Sequence, residues 1–452
     1  MKTLIRCFWL LLCFGFISSV WAQNQDAMMR PGRLLSPRHR MTTLLSKSKM
    51  TAQSGTYLAF TIACDKSKTW DLGVYPKGGT WAQLNGINDF GVAMGWGDVP
   101  IEGGTETRMI GICLFGLKAG QWFDSGVSSE EGWAGEAGGI SNTGIIVGNI
   151  LGSNGNPEAY AWMPNYGGFQ LSPLPGDDAS GAWAINRMGT FVVGASRRMI
   201  PNPADYPNGP NGPHGWLTPV VWTPKVIWNN GRPTVKWEIH ALPIDDLGTK
   251  GKLFTDITLN LWGGYGVNDF GQIAGDGYTY IGDNWYEIAV VWNPANHSRG
   301  WEVQQLPMAD GFAYNEALAI NNRGEIVGDV WESLAAPALW KKDSEDGNTW
   351  KLTVLPDLNQ TPMWDVATGI NELGDIVGYC QDADWVQQAT RWNTHDLSFV
   401  TSLGFPGDTS WAGFGGVNNL GIAVGVYQKI VSYDDDGNPI YSDPQAVAVR
   451  FR

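Results

Sequence analysis

One short phrase occurs seven times in this chain of 452 residues, and it constrains the fold more than any other feature. Its fourth copy, residues 266–275, reads Gly-Val-Asn-Asp-Phe-Gly-Gln-Ile-Ala-Gly. Each copy has a small residue, Ile or Val, Asn, two free positions, Gly, and an apolar stretch that ends in Gly. The third position is occupied by Asn88, Ser141, Asn186, Asn268, Asn321, Asn371 and Asn418. Successive copies lie 53, 45, 82, 53, 50 and 47 residues apart, which is the period of a repeat fold.

The chemistry of the phrase predicts a strand, a tight turn and a second strand. Ile and Val favour extended backbone, Asn can hydrogen-bond its own backbone two residues on, and Gly accepts the positive φ that closes the turn. In the third copy the closing Gly194 follows the turn glycine by five residues instead of four, which we interpret as a β-bulge. The first position is always Gly or Ala, which indicates that backbones crowd together there, as around a central axis.

Two further strands are predicted in each repeat. The third strand usually carries a tryptophan that would fill the space between neighbouring sheets: Trp162, Trp222, Trp292, Trp340 and Trp392. The fourth ends near a proline, which suits an outer edge. The last repeat lacks a fourth strand, but residues 70–76 have the pattern of one and would close the ring there. The sequence therefore predicts an all-β fold, a seven-bladed β-propeller of four-stranded antiparallel blades over residues 55–452, closed by an N-terminal strand.

The repeated phrase, followed by a strand that bears tryptophan, resembles the HAF family of extracellular repeats from residue 57 to the C-terminus. The resemblance implies a bacterial secreted or surface protein with a repeat fold. It implies no reaction and no catalytic residue.

Residues 1–22 have the pattern of a secretory signal peptide. Lys2 and Arg6 precede an apolar stretch, and a small-x-small site precedes Gln23. We therefore expect a secreted protein, located outside the cell, on its surface or in the periplasm. Residues 23–54 contain six Lys or Arg and one Asp, and we interpret them as a flexible basic leader. They are either a solvated tail or a segment that folds back onto the acidic body.

The formal net charge of −14 argues against a nucleic-acid partner, because phosphate binding requires clustered Lys and Arg. No segment after the signal peptide has 18 consecutive apolar residues, so we expect no membrane insertion. We also expect a monomer.

No cofactor is predicted, because the sequence contains no CxxC or CxxH spacing. Cleavage would leave Cys64, Cys113 and Cys380, either with a disulfide between the first two or with all three as small core residues. Residues 434–438, Asp-Asp-Asp-Gly-Asn, have the composition of a calcium loop but lack its closing Glu. Calcium is therefore the alternative to a simple hairpin turn at this point.

A ligand-binding face is predicted where the second-to-third and fourth-to-first connections emerge together. These connections combine aromatic and acidic residues, and we predict as ligand-binding Trp96, Tyr278, Trp285, Trp331, Trp385, Asp177, Asp310 and Asp408. Such a face suits a glycan, whose C–H surfaces stack on aromatic rings while carboxylates hold its hydroxyls. A protein partner would use exposed Trp and Tyr as anchors equally well. If these residues only cap turns and cover loops, the four tryptophans should be buried.

These observations favour a secreted or cell-surface binding protein that is not an enzyme and whose ligand is a glycan or a protein. None of the five histidines lies in a catalytic motif, and we predict no catalytic residue. The alternative is a secreted hydrolase or lyase of propeller type that uses acids of the same face on a polysaccharide.

Overall fold

The computed structural model describes residues 69–451, with gaps at 77, 117, 129–135, 153–154, 165–166, 198–216, 230–231, 244–259, 282–283, 296–299, 346, 360–362, 404–408 and 435–437. The predicted signal peptide, the basic leader, Cys64 and Asp408 lie outside the described residues. Within them, every regular element is a β-strand. The described part contains no helix with the length and hydropathy needed to cross a bilayer.

The strands form seven antiparallel blades in chain order, which confirms the predicted seven-bladed propeller. Blade 1 contains β2 (Ala82–Ile87), β3 (Val92–Ile101), β4 (Gly104–Cys113) and β5 (Trp122–Ser128). Blade 2 contains β6 (Glu136–Ile140), β7 (Ile146–Leu151), β8 (Pro157–Met163) and β9 (Gly167–Leu171). Blade 3 contains β10 (Ala179–Ile185), β11 (Val192–Arg197), β12 (Leu217–Asn229) and β13 (Arg232–Ala241).

The remaining blades repeat this order. Blade 4 contains β14 (Asn260–Val267), β15 (Ile273–Ile281), β16 (Asn284–Pro294) and β17 (Trp301–Gln305). Blade 5 contains β18 (Tyr314–Ile320), β19 (Ile326–Trp331), β20 (Ala335–Lys342) and β21 (Trp350–Val354). Blade 6 contains β22 (Val366–Ile370), β23 (Asp375–Gln381), β24 (Gln387–Asn393) and β25 (Asp396–Ser402). Blade 7 contains β26 (Thr409–Val417), β27 (Ile422–Tyr433), β29 (Gln445–Arg450) and, from the other end of the described chain, β1 (Thr69–Gly73), while the short β28 (Pro439–Tyr441) pairs with β27.

The ring closes through β1, as the sequence predicted. Thr69 pairs with Val449 and Gly73 pairs with Ala446, so β1 is the outer strand of blade 7. An ion pair of 2.7 Å between Lys429 Nζ and Asp71 Oδ2 adds a contact between the two ends of the chain.

The tryptophans of the third strands fill the space between blades, which confirms their predicted interior position. Trp222, Trp292 and Trp340 are fully buried. Their indole N–H groups also donate to the preceding blade, for example from Trp340 to the Pro307 carbonyl at 2.9 Å. The proline-ended fourth strand thus supplies an acceptor for the next blade.

Backbones crowd around the axis at the small residue of each phrase, as predicted. A Cβ atom added to Gly266 would lie 2.9 Å from the Cα atom of Ala319 in the next blade. One added to Gly416 would lie 3.2 Å from the Cα atom of Gly86, across the closure of the ring. A larger residue at this position would force neighbouring blades apart.

Two details of the predicted strands are wrong. The extra residue of the third phrase lies in its turn and not in a strand bulge, because the Asn186 N–H donates to Phe191 O, one residue further along than the Asn88 N–H to Val92 O bond. Register irregularities instead occur in the first strand of all seven blades, next to the small residue. The sequence pattern also predicts an insertion over residues 245–264, before the first strand of blade 4, but β14 already begins at Asn260.

Candidate functional site

The seven asparagine-type turns meet at one end of the propeller, here called the turn face, and they are bonded to each other. Asn418 shows the pattern: its Oδ1 accepts the N–H groups of Leu420 and Ile422, and its Nδ2 donates to Asn88 O at 3.0 Å. The same donation to the next repeat runs from Asn88, Asn268, Asn321 and Asn371. This asparagine ring therefore joins adjacent blades, in addition to shaping each turn.

A second ring lies at the next position of the phrase, and we call it the mouth ring. It consists of Asp89, Asn142, Arg187, Asp269, Asn322, Glu372 and Asn419. At five of the seven positions the side-chain oxygen of one member accepts the backbone N–H of the preceding member. The Asp89 N–H donates to Asn142 and the Asn419 N–H donates to Asp89, both at 2.9 Å. Because both oxygens and amides are held by neighbours, the ring presents a fixed set of polar groups around the axis.

Arg187 crosses the centre of the mouth ring. Its guanidinium lies 3.0 Å from a Glu372 carboxylate oxygen and 3.7 Å from one of Asp89, although these three residues belong to blades 3, 6 and 1. Burial raises the pKa of Glu372, an effect that the Asn322 N–H and the Arg187 charge oppose. Asp269 is a third carboxylate of the mouth ring, and with one guanidinium among its members the ring carries an excess of negative charge.

The mouth ring opens into an axial cavity of about 210 Å³. Its wall is the ring of Ile and Val side chains of the phrase, including Ile87, Val267 and Ile370. Tyr265 and Leu318 lie at the inner end. The volume corresponds to roughly seven water molecules at about 30 Å³ each, which is enough for the head group of a Lys or Arg side chain.

A buried acidic cluster lies behind the inner end of the cavity. Burial raises the pKa of Asp276 to about 8, and the Glu316 charge adds to this while hydrogen bonds to Glu287 and Tyr265 oppose it. Burial likewise raises the pKa of Tyr265 well above its usual value. Because Asp276, Glu287 and Glu316 are all buried, the cluster belongs to the packing between blades 4 and 5.

Exposed apolar side chains surround the mouth ring. The position after the mouth ring holds Phe90, Met188, Phe270, Leu373 and Leu420, which are 40 to 67% exposed and which we call the collar. The other two blades have exposed Thr143 and Arg323 there. Large apolar side chains at this exposure, grouped around one site, are typical of an interaction surface.

Blade 3 extends beyond the turn face beside the collar. Val192, the first residue of β11 after its turn, pairs with Trp222, and β12 continues from there to Asn229. The seven further residues project roughly 20 Å at about 3.3 Å per residue. This projecting hairpin exposes Trp228, which is 71% accessible, together with Val226 and Val235. The turn face thus has an acidic centre, an apolar collar and an aromatic projection.

The opposite end of the propeller, here called the loop face, differs from the prediction. Trp96 is only 4% exposed, because β3 runs on to Ile101 and the indole packs edge-to-face on Trp81 at 4.8 Å. Trp331 is 1% exposed, because it ends β19 and stacks on Tyr314 at 3.9 Å. The predicted partial exposure is therefore wrong for both residues.

The sequence predicts Tyr278 and Trp285 in a connection between strands, but they lie within β15 and β16, where they pair with Glu287 and Tyr280. Their side chains are outside the described part. Trp385 is half-buried in a turn, with an unusual φ of 64°. That positive φ is uncommon for a residue other than glycine.

The predicted acids are not equivalent. Asp177 accepts a hydrogen bond from Ser196 Oγ at 2.6 Å, so it stabilises its own blade. Asp310 is exposed, and Asp408 lies outside the described residues. Of the eight predicted site residues, Trp385 and Asp310 have accessible described side chains that are free of a structural role identified above. Ligand binding on the loop face stays a prediction.

The residues of the mouth ring and the collar are the two variable positions between Asn and Gly in the repeated phrase. Their signal was present, because five of seven residues at the second free position are large and apolar. Large apolar residues are not expected in turns that are exposed to solvent. Their recurrence could therefore have indicated that these turns form one surface.

The described residues contain no group of three or more His, Cys, Asp or Glu arranged to hold a metal ion. Asp434 and Asn438 close a hairpin turn, with the Asn438 N–H donating to Asp434 Oδ1 at 2.7 Å. Residues 435–437 lie outside the described ranges, so calcium binding there stays a prediction. Cys380 is buried and Cys113 half-buried, whereas a disulfide to Cys64 stays a prediction.

No family model and no curated protein matches the chain. Similar solved structures include a protein of unknown function from Dyadobacter fermentans DSM 18053, with 10% identity, a TM-score of 0.40, and coverage of 86% of this chain and all of that one. A sialidase from Trypanosoma rangeli has 11% identity and a TM-score of 0.38 over 74% of this chain and 56% of its own. The fucose-specific lectin from Aleuria aurantia has 12% identity and a TM-score of 0.30 over 73% of this chain and 97% of its own. At these values the similarities carry no functional argument, and the propeller assignment stands on the strand pairing of this chain.

Proposed function

We propose that this chain is an exported binding protein that is not an enzyme. It holds a protein partner on the turn face, with a Lys or Arg side chain of the partner at the carboxylates of the mouth ring. The observation that carries the proposal is the collar of exposed apolar side chains around an acidic centre. Export rests on the predicted signal peptide.

The charge of the mouth ring favours a cation over a neutral sugar. The amide groups of Asn142, Asn322 and Asn419 already donate to ring carboxylates. Hydroxyl groups of a glycan would therefore find few unused donors. Three carboxylates against one guanidinium leave a negative charge that a basic side chain would neutralise, and a hydrogen bond to a charged group contributes about 1.5–3 kcal/mol.

The collar favours a protein over a free cation. Phe90 and Phe270 are exposed by about two thirds, at 66 and 67%. Together with Trp228 on the projecting hairpin, they are the residue types that act as anchors in protein interfaces. Two of the four tryptophans predicted as anchors on the loop face, Trp96 and Trp331, are buried. This removes much of the support for a glycan there.

A labelled peptide tests the proposal. Fluorescence anisotropy compares Gly-Ser-Leu-Leu-Arg-Leu-Leu-Ser-Gly with the same peptide carrying Gln in place of Arg. We expect the Arg peptide to bind at least about tenfold more tightly, the equivalent of roughly 1.4 kcal/mol. The triple variant Asp89→Asn, Asp269→Asn and Glu372→Gln should lose that preference. Each substitution keeps one of the two acceptor oxygens and replaces the other by an NH2 group, and Asn already occupies the position in three blades.

The matched control removes charge from the loop face, through Asp310→Asn and Glu332→Gln, both exposed residues. It should bind the Arg peptide as the unsubstituted protein does. Equal affinity for the Arg and Gln peptides would contradict the proposal. So would a glycan array on which a neutral glycan binds and the triple variant retains that binding.

A further inference from the structure

We propose that the chain's own basic leader, residues 23–54, is a ligand of the turn face and competes there with an external partner. This inference rests on the proposed function, because it places one particular basic segment in the same site. It makes the site self-occupied until a tighter partner displaces the leader.

The position of β1 is the first argument. Thr69, its first residue, pairs with Val449, which in turn pairs with Ala423 near the start of β27. The Phe451 N–H donates to Gly421 O in the turn of blade 7. The chain therefore enters the outer strand of blade 7 at the turn face, on the same end of the propeller as the mouth ring and the collar.

Complementary composition is the second argument. The leader combines basic and apolar residues, as in Arg33-Leu34-Leu35 and Arg40-Met41, while the chain as a whole has a net charge of −14. Its six Lys or Arg against one Asp match the excess carboxylates of the mouth ring. Its Leu and Met side chains match the apolar collar. An acidic centre with an apolar rim thus meets a segment with the opposite charge and the same apolar character.

The reach of the chain is sufficient. Three strand spacings of about 4.8 Å separate the outer strand of a blade from its inner strand, roughly 15 Å in total. The 20 residues from Lys49 to Thr69 can span up to about 65 Å when extended. A tethered segment of this kind has an effective concentration in the millimolar range, so even a weak contact would be populated.

A zero-length carbodiimide cross-linker, which joins a Lys amine to a carboxylate, tests the contact in the purified protein. We expect cross-links from Lys47 or Lys49 to Asp89, Asp269 or Glu372, identified by mass spectrometry. Cross-links from these lysines to Asp310 or Glu332 on the loop face, or none to the mouth ring, would overturn the inference. A mixture of isotope-labelled and unlabelled protein distinguishes contacts within one chain from contacts between copies, and only the former support it.

Reversing the charge of the leader separates this inference from the proposed function. With Arg38→Glu and Arg40→Glu, the labelled Arg peptide should bind about tenfold more tightly than to the unsubstituted protein, because the internal competitor is lost. Matched substitutions Lys342→Glu and Lys351→Glu, at exposed residues on the outer strands of blade 5, should not produce this gain. Unchanged tight binding with the reversed leader would refute self-occupation and leave the proposed function intact. If the cross-links form but the reversed-leader protein binds no peptide, the proposed function is refuted and the contact between leader and turn face stands.

Discussion

Asn418 closes the asparagine ring between blades 7 and 1, and its replacement tests how much that ring stabilises the propeller. The side chain is 3% exposed and makes three hydrogen bonds. Two are accepted from N–H groups of its own turn, at 3.1 and 3.0 Å, and one is donated to Asn88 O at 3.0 Å.

The expected magnitude follows from these bonds. At about 1 kcal/mol net per hydrogen bond, Asn418→Ala should lower the free energy of unfolding by about 3 kcal/mol. Asn418→Ser should lower it by about 2 kcal/mol. Serine keeps one of the three bonds, as Ser141 does when its Oγ accepts the Ile145 N–H at 3.0 Å. A role confined to the turn would predict a smaller loss for alanine, about 2 kcal/mol for its two bonds.

Urea unfolding followed by tryptophan fluorescence measures these differences. The matched control is Asn156→Ala, because the Asn156 amide donates an exposed hydrogen bond to Asp178 O at 3.2 Å. We expect the control to lose less than about 1 kcal/mol. If Asn418→Ala loses no more than the control, the asparagine ring does not stabilise the closure and the reasoning is refuted.

Three further substitutions have defined outcomes in the same unfolding assay. Ser141→Asn should raise the free energy of unfolding by about 1 kcal/mol, since it supplies a donor that the asparagine ring lacks at this position, and a loss would contradict that role. Trp340→Phe should lower it by about 1–3 kcal/mol, because Pro307 O keeps only the Asn315 amide as a donor and the smaller ring leaves a cavity. The exposed Trp228→Phe should change it little. Burial raises the pKa of Asp365 to about 8 from 3.8, so its stabilising contribution is present in acid and declines at about 1.4 kcal/mol per pH unit as pH rises between these values. Asp365→Asn should therefore stabilise the protein at pH 7 and lose this advantage near pH 4, and an equal effect at both would show that the carboxyl is not protonated in the folded state.

The repeat period and the residues of the phrase predicted the seven blades, the closing strand and the buried third-strand tryptophans. Each of these depends on local chemistry that recurs in phase, such as the small residue at Gly266. The sequence did not predict that Asn268 Nδ2 would donate to Asn321 O, because that bond requires the superposition of two turns 53 residues apart.

The predicted loop-face site was partly wrong because the lengths of the strands cannot be read from the sequence. Where a strand ends is set by pairing with its neighbour, and β3 continues past Trp96 because residues up to Ile101 pair with β4. Because Trp96 lies within a paired strand and not in a loop, its side chain is buried and not exposed. Conversely, Phe90 and Phe270 lie in short turns that look interchangeable in sequence, and only the ring geometry brings them together.

The most direct test of the turn face as the binding site is photo-cross-linking with the Arg peptide carrying a benzophenone group at one Leu. We expect mass spectrometry to locate the label on collar residues, Met188 and Phe270 foremost, or on Trp228 of the projecting hairpin. Label located instead around Trp385 and Asp310 would place the ligand on the loop face and contradict the account.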